Sequence, residues 1–210
     1  MKSNLKWSRG NRKVSKLDAV SFGIPAYRSE DGFKTCPQAG ACAAVCYARQ
    51  GFYTMENVRA AREANLSAAR GDLKEFVRQA IEDVSKFPEH LIRVHDSGDF
   101  FSQAYLNAWG QIAAACPDKV FYAYTKSMHL NFDGLPKNFR ITQSEGGKLD
   151  HEIDRSKAHA RIFATHARRR LAGYGDGSNT DTLAIKGAKK IGLVYHGQKR
   201  LTEAQETYFS

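Results

Sequence analysis

With 210 residues, 42% of them hydrophobic and 26% charged, the chain is long enough to bury one good core and has an ordinary globular composition. Its first sixteen residues are basic and polar, and no apolar run approaches the ~20 residues of a membrane span, so a secretory signal and a membrane anchor are not expected and the cytoplasm is. The net charge of +10 is uneven. Lys2, Lys6, Arg9, Arg12, Lys13 and Lys16 face no acid within the first sixteen residues, and residues 155–200 carry eleven Lys and Arg against Asp176 and Asp181. The remainder is net acidic. Two basic segments on an acidic body point to a polyanionic partner, nucleic acid foremost. The competing reading is that Arg168, Arg169 and Arg170 line a solvated helix face.

Residues 1–18 read as a basic N-terminal arm, with Trp7 available to stack on a base or to anchor the arm to the core. Residues 19–27 are the first strand, and a cysteine-bearing loop follows it directly. Helices are expected over 55–70 and 72–87, split at Gly71, with Asp72 and Glu75 spaced for a capping box. Leu73, Phe76, Val77, Ala80, Ile81 and Val84 give the second helix one apolar face. Further strands are read at 91–99, 119–127, 138–145, 160–167 and 189–197, with a helix from about Ser102. Strands separated by helices or long crossovers imply a mainly parallel sheet. The expected class is α/β, a partial barrel of about six mainly parallel strands with helices outside. It forms one domain over 19–200, followed by a tail at 201–210.

Three of the four cysteines, Cys36, Cys42 and Cys46, fall within eleven residues in a C-x5-C-x3-C pattern. A thiol cluster of that density in a cytosolic chain suits a metal or iron–sulfur site better than disulfides. Three thiolates leave one coordination position open, as a reactive centre requires. A structural zinc site completed by His95, His166 or His196 is the alternative, and three unrelated thiols or a disulfide a further one. Cys116, at the end of an alanine-rich helix, reads as a small core residue.

Each strand is apolar in its body and polar at its C-terminal end. His95, Asp96, Ser97 and Asp99 end the second strand, and Thr125 and Lys126 the third. Gln143, Ser144 and Glu145 end the fourth, Thr165 and His166 the fifth, and His196 the sixth. That edge of a parallel sheet is where ligands bind. Gly98 can turn the chain sharply there. Asp99 either faces the site or caps the next helix, and Lys126 either meets an anion or reaches water.

A three-cysteine loop after the first strand of a partial barrel, followed by polar strand ends, resembles the radical S-adenosylmethionine superfamily. The resemblance implies a 4Fe–4S cluster on Cys36, Cys42 and Cys46 and S-adenosylmethionine at its open iron, with SerGlyAsp at Ser97–Asp99 near the amino group. An external reductant would be needed. Asp96, Asp99 and Lys126 become the catalytic candidates, and Ser97, Gly98, Asp99, Thr125, Ser144 and His196 the cofactor-binding ones. The spacing departs from the superfamily's C-x3-C-x2-C, and Tyr47 follows the last cysteine where an aromatic usually precedes it. A nearer resemblance is to the phage gene-product-eighty-eight family, through CPQAGACAAVCYARQG (36–51), RVHDSGDFFSQAYLNAW (93–109) and VFYAYTKS (120–127). ITQSEGG (141–147) and IGLVYHG (191–197) extend it over most of residues 20–197. Three function classes follow: a radical redox enzyme, a nucleic-acid-binding metalloprotein, and an iron–sulfur electron carrier or sensor.

Overall fold

The computed structural model describes residues 3–10, 12–195 and 201–209. Its centre is an eight-stranded sheet. The strands are β1 (Trp7–Ser8), β2 (Ala19–Phe22), β3 (Leu91–Val94), β4 (Val120–Thr125), β5 (Phe139–Ser144), β6 (His159–Phe163), β7 (Gly175–Asp176) and β8 (Lys190–Val194). Their order is β1-β2-β3-β4-β5-β6-β8-β7. Every pairing is parallel except β1 against β2. All six expected strands are present, and two short edge strands join them.

β1 lies in the expected basic arm, and burial explains its place. Leu5 is buried, and the Trp7 ring packs edge-on against Phe22, Phe87 and Trp109. Trp7 Nε1 donates to Asp83 at 2.8 Å, so this aromatic is an anchor. The arm's cations are also used internally. Arg9 pairs with Glu89, and Lys13, in the short helix α1 (Arg12–Ser15), lies 3.5 Å from Asp181.

Helices α2 (Glu56–Arg70) and α3 (Leu73–Lys86) connect β2 to β3, and α4 (Gln103–Ala115) connects β3 to β4. Asp72 caps α3 by accepting from the amides of Lys74 and Glu75, at 2.9 and 3.2 Å. The expected box is not completed through Glu75, whose carboxylate accepts from Arg78 and Gln79 instead. Ser102 caps α4 through the Tyr105 amide. Phe76, Ala80 and Val84 of α3 pack with Trp109 and Ile112 of α4 onto Phe22, Ile92, Val94 and Phe121.

The opposite face of the sheet is covered as well. Tyr122, Ala160 and Ile191 form a second, smaller core with Ala184 of α6 (Thr182–Ile185). Parallel strands buried on both faces are apolar on both, which is why alternation is weak in their sequence. Because α6 packs on the face opposite α3 and α4, the expected outside placement of the helices becomes helices on both faces of the sheet. The later crossovers also hold little helix. Residues 126–138 have none, residues 145–158 hold one 3-10 turn, and the short α5 (His166–Leu171) follows β6. No described helix is long and apolar enough to cross a membrane.

Candidate functional site

The loop after β2 folds down over the C-terminal edge of the sheet. Two amides of the loop, Gly40 N and Cys42 N, donate to the Gly146 carbonyl at 3.1 Å each, joining the loop to the turn after β5. The approach is close enough to require glycine. Gly146 has φ +103°, and a Cβ there would lie 3.1 Å from that of Cys42. Cys36 is held from the other side, where its Sγ accepts from the Tyr27 amide at 3.3 Å. All four cysteines are free thiols. Cys116 is buried where α4 hands over to β4, at the opposite edge of the sheet, as a core residue would be.

Burial pushes the Cys36 thiol up to about 12, with the Asp99 carboxylate adding to the effect. Cys46 is also raised by burial, against the amide of Ala48, while Lys126 and Arg49 pull it back. The three sulfurs act on one another electrostatically, and Lys126 is the nearby cation. As a donor set they fit a thiophilic metal or cluster. They are not drawn together as ligands, since among the described residues no group of three or more His, Cys, Asp or Glu could hold a metal ion as it stands. Loading would have to close the loop and release the thiol protons.

The end of β3 carries the framework under that loop. Asp99 Oδ1 accepts from the Phe100 amide at 2.8 Å and from Thr125 Oγ1 at 2.6 Å, and Oδ2 accepts from the Lys126 amide at 2.9 Å. The carboxylate thus ties β3 to β4, and the expected helix cap falls to Ser102 instead. Burial raises its pKa against those three bonds. Ser97 Oγ donates to the Ile24 carbonyl. Gly98, at φ +85°, has no room for a Cβ beside the Ile24 side chain. Lys126 Nζ donates to the buried Ser144 Oγ at 2.9 Å, which ties the end of β4 to the end of β5.

Asp96 is the hub of the segment after the last cysteine. Its Oδ2 accepts from Tyr53 at 3.1 Å and from Arg62 at 3.0 Å, while its carbonyl accepts from the Tyr47 hydroxyl. Tyr47 is partly exposed as a residue, yet burial raises the pKa of its hydroxyl well above the usual tyrosine value. Arg62 and Tyr53 were not visible as site residues in the sequence, because nothing in a helix pattern marks which arginine turns inward.

Of the expected histidines, His95 is turned away from this edge, while His166 follows the C-terminal end of β6. Strand alternation would send His95 to the same face as Arg93, but its φ of +63° swings the ring into the helix-side core. There it packs on Phe100 and Trp109, and Nε2 meets the Tyr105 hydroxyl at 3.0 Å. Burial lowers it to about 3, so it is neutral at physiological pH. His166 is half exposed and lies 3.3 Å from Asp176. His196 lies outside the described residues.

The basic segment is also less uniform than its sequence. Thr165 caps α5 through the Arg168 amide. Arg169 is 8% exposed, donates to the Tyr174 carbonyl and lies against Gly192 and Asp176, so it belongs to the core. Only Arg168 and Arg170 of the triplet face solvent.

These features define an α/β protein with a thiol-bearing loop seated on the C-terminal edge of a mostly parallel sheet. The chain belongs to the Gene product 88 family, whose profile it matches over residues 1–207. It is 39% identical over 123 residues to the Gene 88 protein of Mycobacterium phage L5, covering 51% of this chain and 48% of that protein. With the Gene 88 protein of Mycobacterium phage D29 the identity is 36% over 122 residues, with the same coverage. The chain spans about half the length of these curated relatives in the match. No solved structure matches it.

Proposed function

We propose that Cys36, Cys42 and Cys46 hold a 4Fe–4S cluster, and that this phage-encoded chain works in the host cytoplasm as a radical S-adenosylmethionine-like redox enzyme. The observation that carries the reading is the placement of three free, mutually interacting thiols in one loop on the ligand-binding edge of a mostly parallel sheet. On this reading the open sheet is a partial barrel. Bound there, the cluster supplies one-electron reduction of S-adenosylmethionine from an external donor.

The chain's own residues have distinct tasks in this scheme. Lys126, fixed by Ser144, offsets the negative charge that accumulates near Cys46. Asp99, Ser97 and Gly98 hold the strand ends in place, since their polar atoms are bonded inside the protein. Asp96 anchors the segment that leaves Cys46. Asp96 and Asp99 are therefore positioning residues, and the half-buried Lys126 is left to meet a ligand.

Anaerobic reconstitution with iron and sulfide tests the reading. Iron should bind stoichiometrically, and Cys36→Ala, Cys42→Ala or Cys46→Ala should each strip most of it, while Cys116→Ala should not. Thiolates are the ligands, and burial holds the Cys36 and Cys46 protons at neutral pH. Metal uptake should therefore release protons and tighten as pH rises. Stoichiometric zinc with no iron would replace this reading with a structural metal module.

A second reading keeps the nucleic-acid partner. Arg168, Arg170, Lys186, Lys189 and Lys190 are all exposed on one stretch of chain. Binding through them should weaken steeply with salt between about 50 and 200 mM, and a flat profile would dismiss it.

A further inference from the structure

The surface around the cysteine loop carries cations that the fold positions but does not pair. Arg28 Nη1 donates to the Gly32 carbonyl at 3.0 Å, and Arg49 Nη1 to the Ala43 carbonyl at 2.8 Å. Both guanidiniums lie over the Tyr27 ring, at 5.4 and 5.3 Å from its centroid, and the Tyr27 amide is the one that holds Cys36 Sγ. Lys34 faces Arg28 across an antiparallel bridge, which sends the two side chains to the same side. Lys148 Nζ donates to the carbonyl of Pro37, next to Cys36, at 3.3 Å. All four cations are exposed, and none of them makes an ion pair among the described residues.

Their neighbours are treated differently. Arg59 pairs with Glu30 and Arg70 with Asp31, while Asp150 accepts from the Gly146 and Gly147 amides and from Tyr208. Glu56, at the start of α2, is exposed and bounds the patch on that side. An aromatic ring stands beside the cations. Phe52 is 83% exposed in the 3-10 turn Gly51–Thr54, which follows Arg49 and is pinned from below by Tyr53 on Asp96. Met55, which closes the turn, is exposed as well. Two apolar side chains are too few for the core of a protein interface. Positioned cations beside a presented ring are the parts of a single-strand platform, where phosphates meet the charges and a base stacks on the aromatic face.

We propose that this face binds single-stranded nucleic acid, with phosphates on Arg28, Lys34, Arg49 and Lys148 and a base on Phe52, so that the strand runs over the cysteine loop. The surface is separate from the basic stretch after β6, where Arg168 and Arg170 lie. It stands independently of what the cysteines hold.

Fluorescence anisotropy of a labelled oligothymidylate on the full-length, metal-free chain tests it. Four phosphate contacts on a single strand give a slope of about −3 in log affinity against log salt. Arg28→Gln with Arg49→Gln should halve that slope, and Lys34→Gln with Lys148→Gln should do the same. Phe52→Ala should weaken binding at least about fivefold and leave the slope alone, because stacking is not a charge effect. A duplex of equal length should bind more weakly, since its bases are closed to the ring. Arg168→Gln with Arg170→Gln should change nothing. No binding at about 50 mM salt, or wild-type slopes in both double variants at 28/49 and 34/148, overturns the proposal. So does wild-type affinity in Phe52→Ala, a duplex that binds as tightly, or loss of binding on changing Arg168 and Arg170. Displacement of the strand by polyglutamate, charge for charge, overturns it in favour of an acidic protein. Because the protein carries no metal in this experiment, its failure leaves the cysteine reading untouched.

Discussion

Replacing Asp99 with Ala deletes one carboxylate and orphans three donors. Two of them are the amides of Phe100 and Lys126, at 2.8 and 2.9 Å, and the third is the Thr125 hydroxyl at 2.6 Å. A hydrogen bond to a charged group contributes about 1.5–3 kcal/mol, and a buried donor left alone costs about 1–3 kcal/mol. These losses share one acceptor and are not additive. The burial that raises the Asp99 pKa shows that the carboxylate itself carries a desolvation penalty, which Ala relieves. The net loss is expected near ~3 kcal/mol. For a chain of this size that lowers Tm by about 6–12 °C. Asp99→Asn keeps the shape and one acceptor oxygen, and should lose about half as much. Urea unfolding followed by circular dichroism, with iron uptake measured on the same samples, gives both quantities. If Asp99→Ala keeps the wild-type midpoint yet loses cofactor binding, the carboxylate faces a ligand and its role as a tie between strands is wrong.

Gly98→Ala puts a methyl group against Ile24 at a φ of +85°, and should destabilise by about 1–3 kcal/mol from backbone strain alone; a thermal midpoint equal to wild type would contradict the crowding. His95 is held near 3 when folded against 6.5 when free, so the unfolded chain binds the extra proton between those values. Stability from this group is full above about pH 6.5 and falls as pH drops toward 3, with a slope of up to about one proton. His95→Phe should flatten that slope in urea midpoints measured from pH 4 to 7 (a window set by ~6.5, the free histidine value), and identical slopes would remove His95 from the effect. Arg169→Ala should lower stability by more than about 1 kcal/mol, whereas Arg168→Ala and Arg170→Ala should stay within about 0.5 kcal/mol, since only Arg169 is buried against Tyr174 and Gly192. Equal effects at all three positions would return Arg169 to the surface.

The strands were legible because a parallel strand buried on both faces is a short apolar run between turns, and 91–94, 120–125 and 139–144 have that form. The edge strand β1 was hidden by its length of two residues. Arg93 carried a signal that periodicity alone does not weigh, a charge inside an otherwise apolar strand. Arg62 carried none, because an inward arginine on a helix differs from an outward one only in what it meets.

Sequence by itself determined the order of elements, the cysteine loop and the polar residues at the strand ends, since these depend on local pattern and spacing. Only the tertiary structure decided which of those polar groups are free to act. Asp99, Ser97 and Asp96 are bonded into the strand ends, His95 is turned into the core by its backbone, and Arg169 packs against Gly192. The half-buried Lys126 reaches the buried Ser144, and Arg93 meets Asp181 from 88 positions away (181 − 93). The physical reason is that a side chain's availability depends on the partners folding brings to it. Those partners are distant in the chain, and the residue's own type and neighbours do not name them.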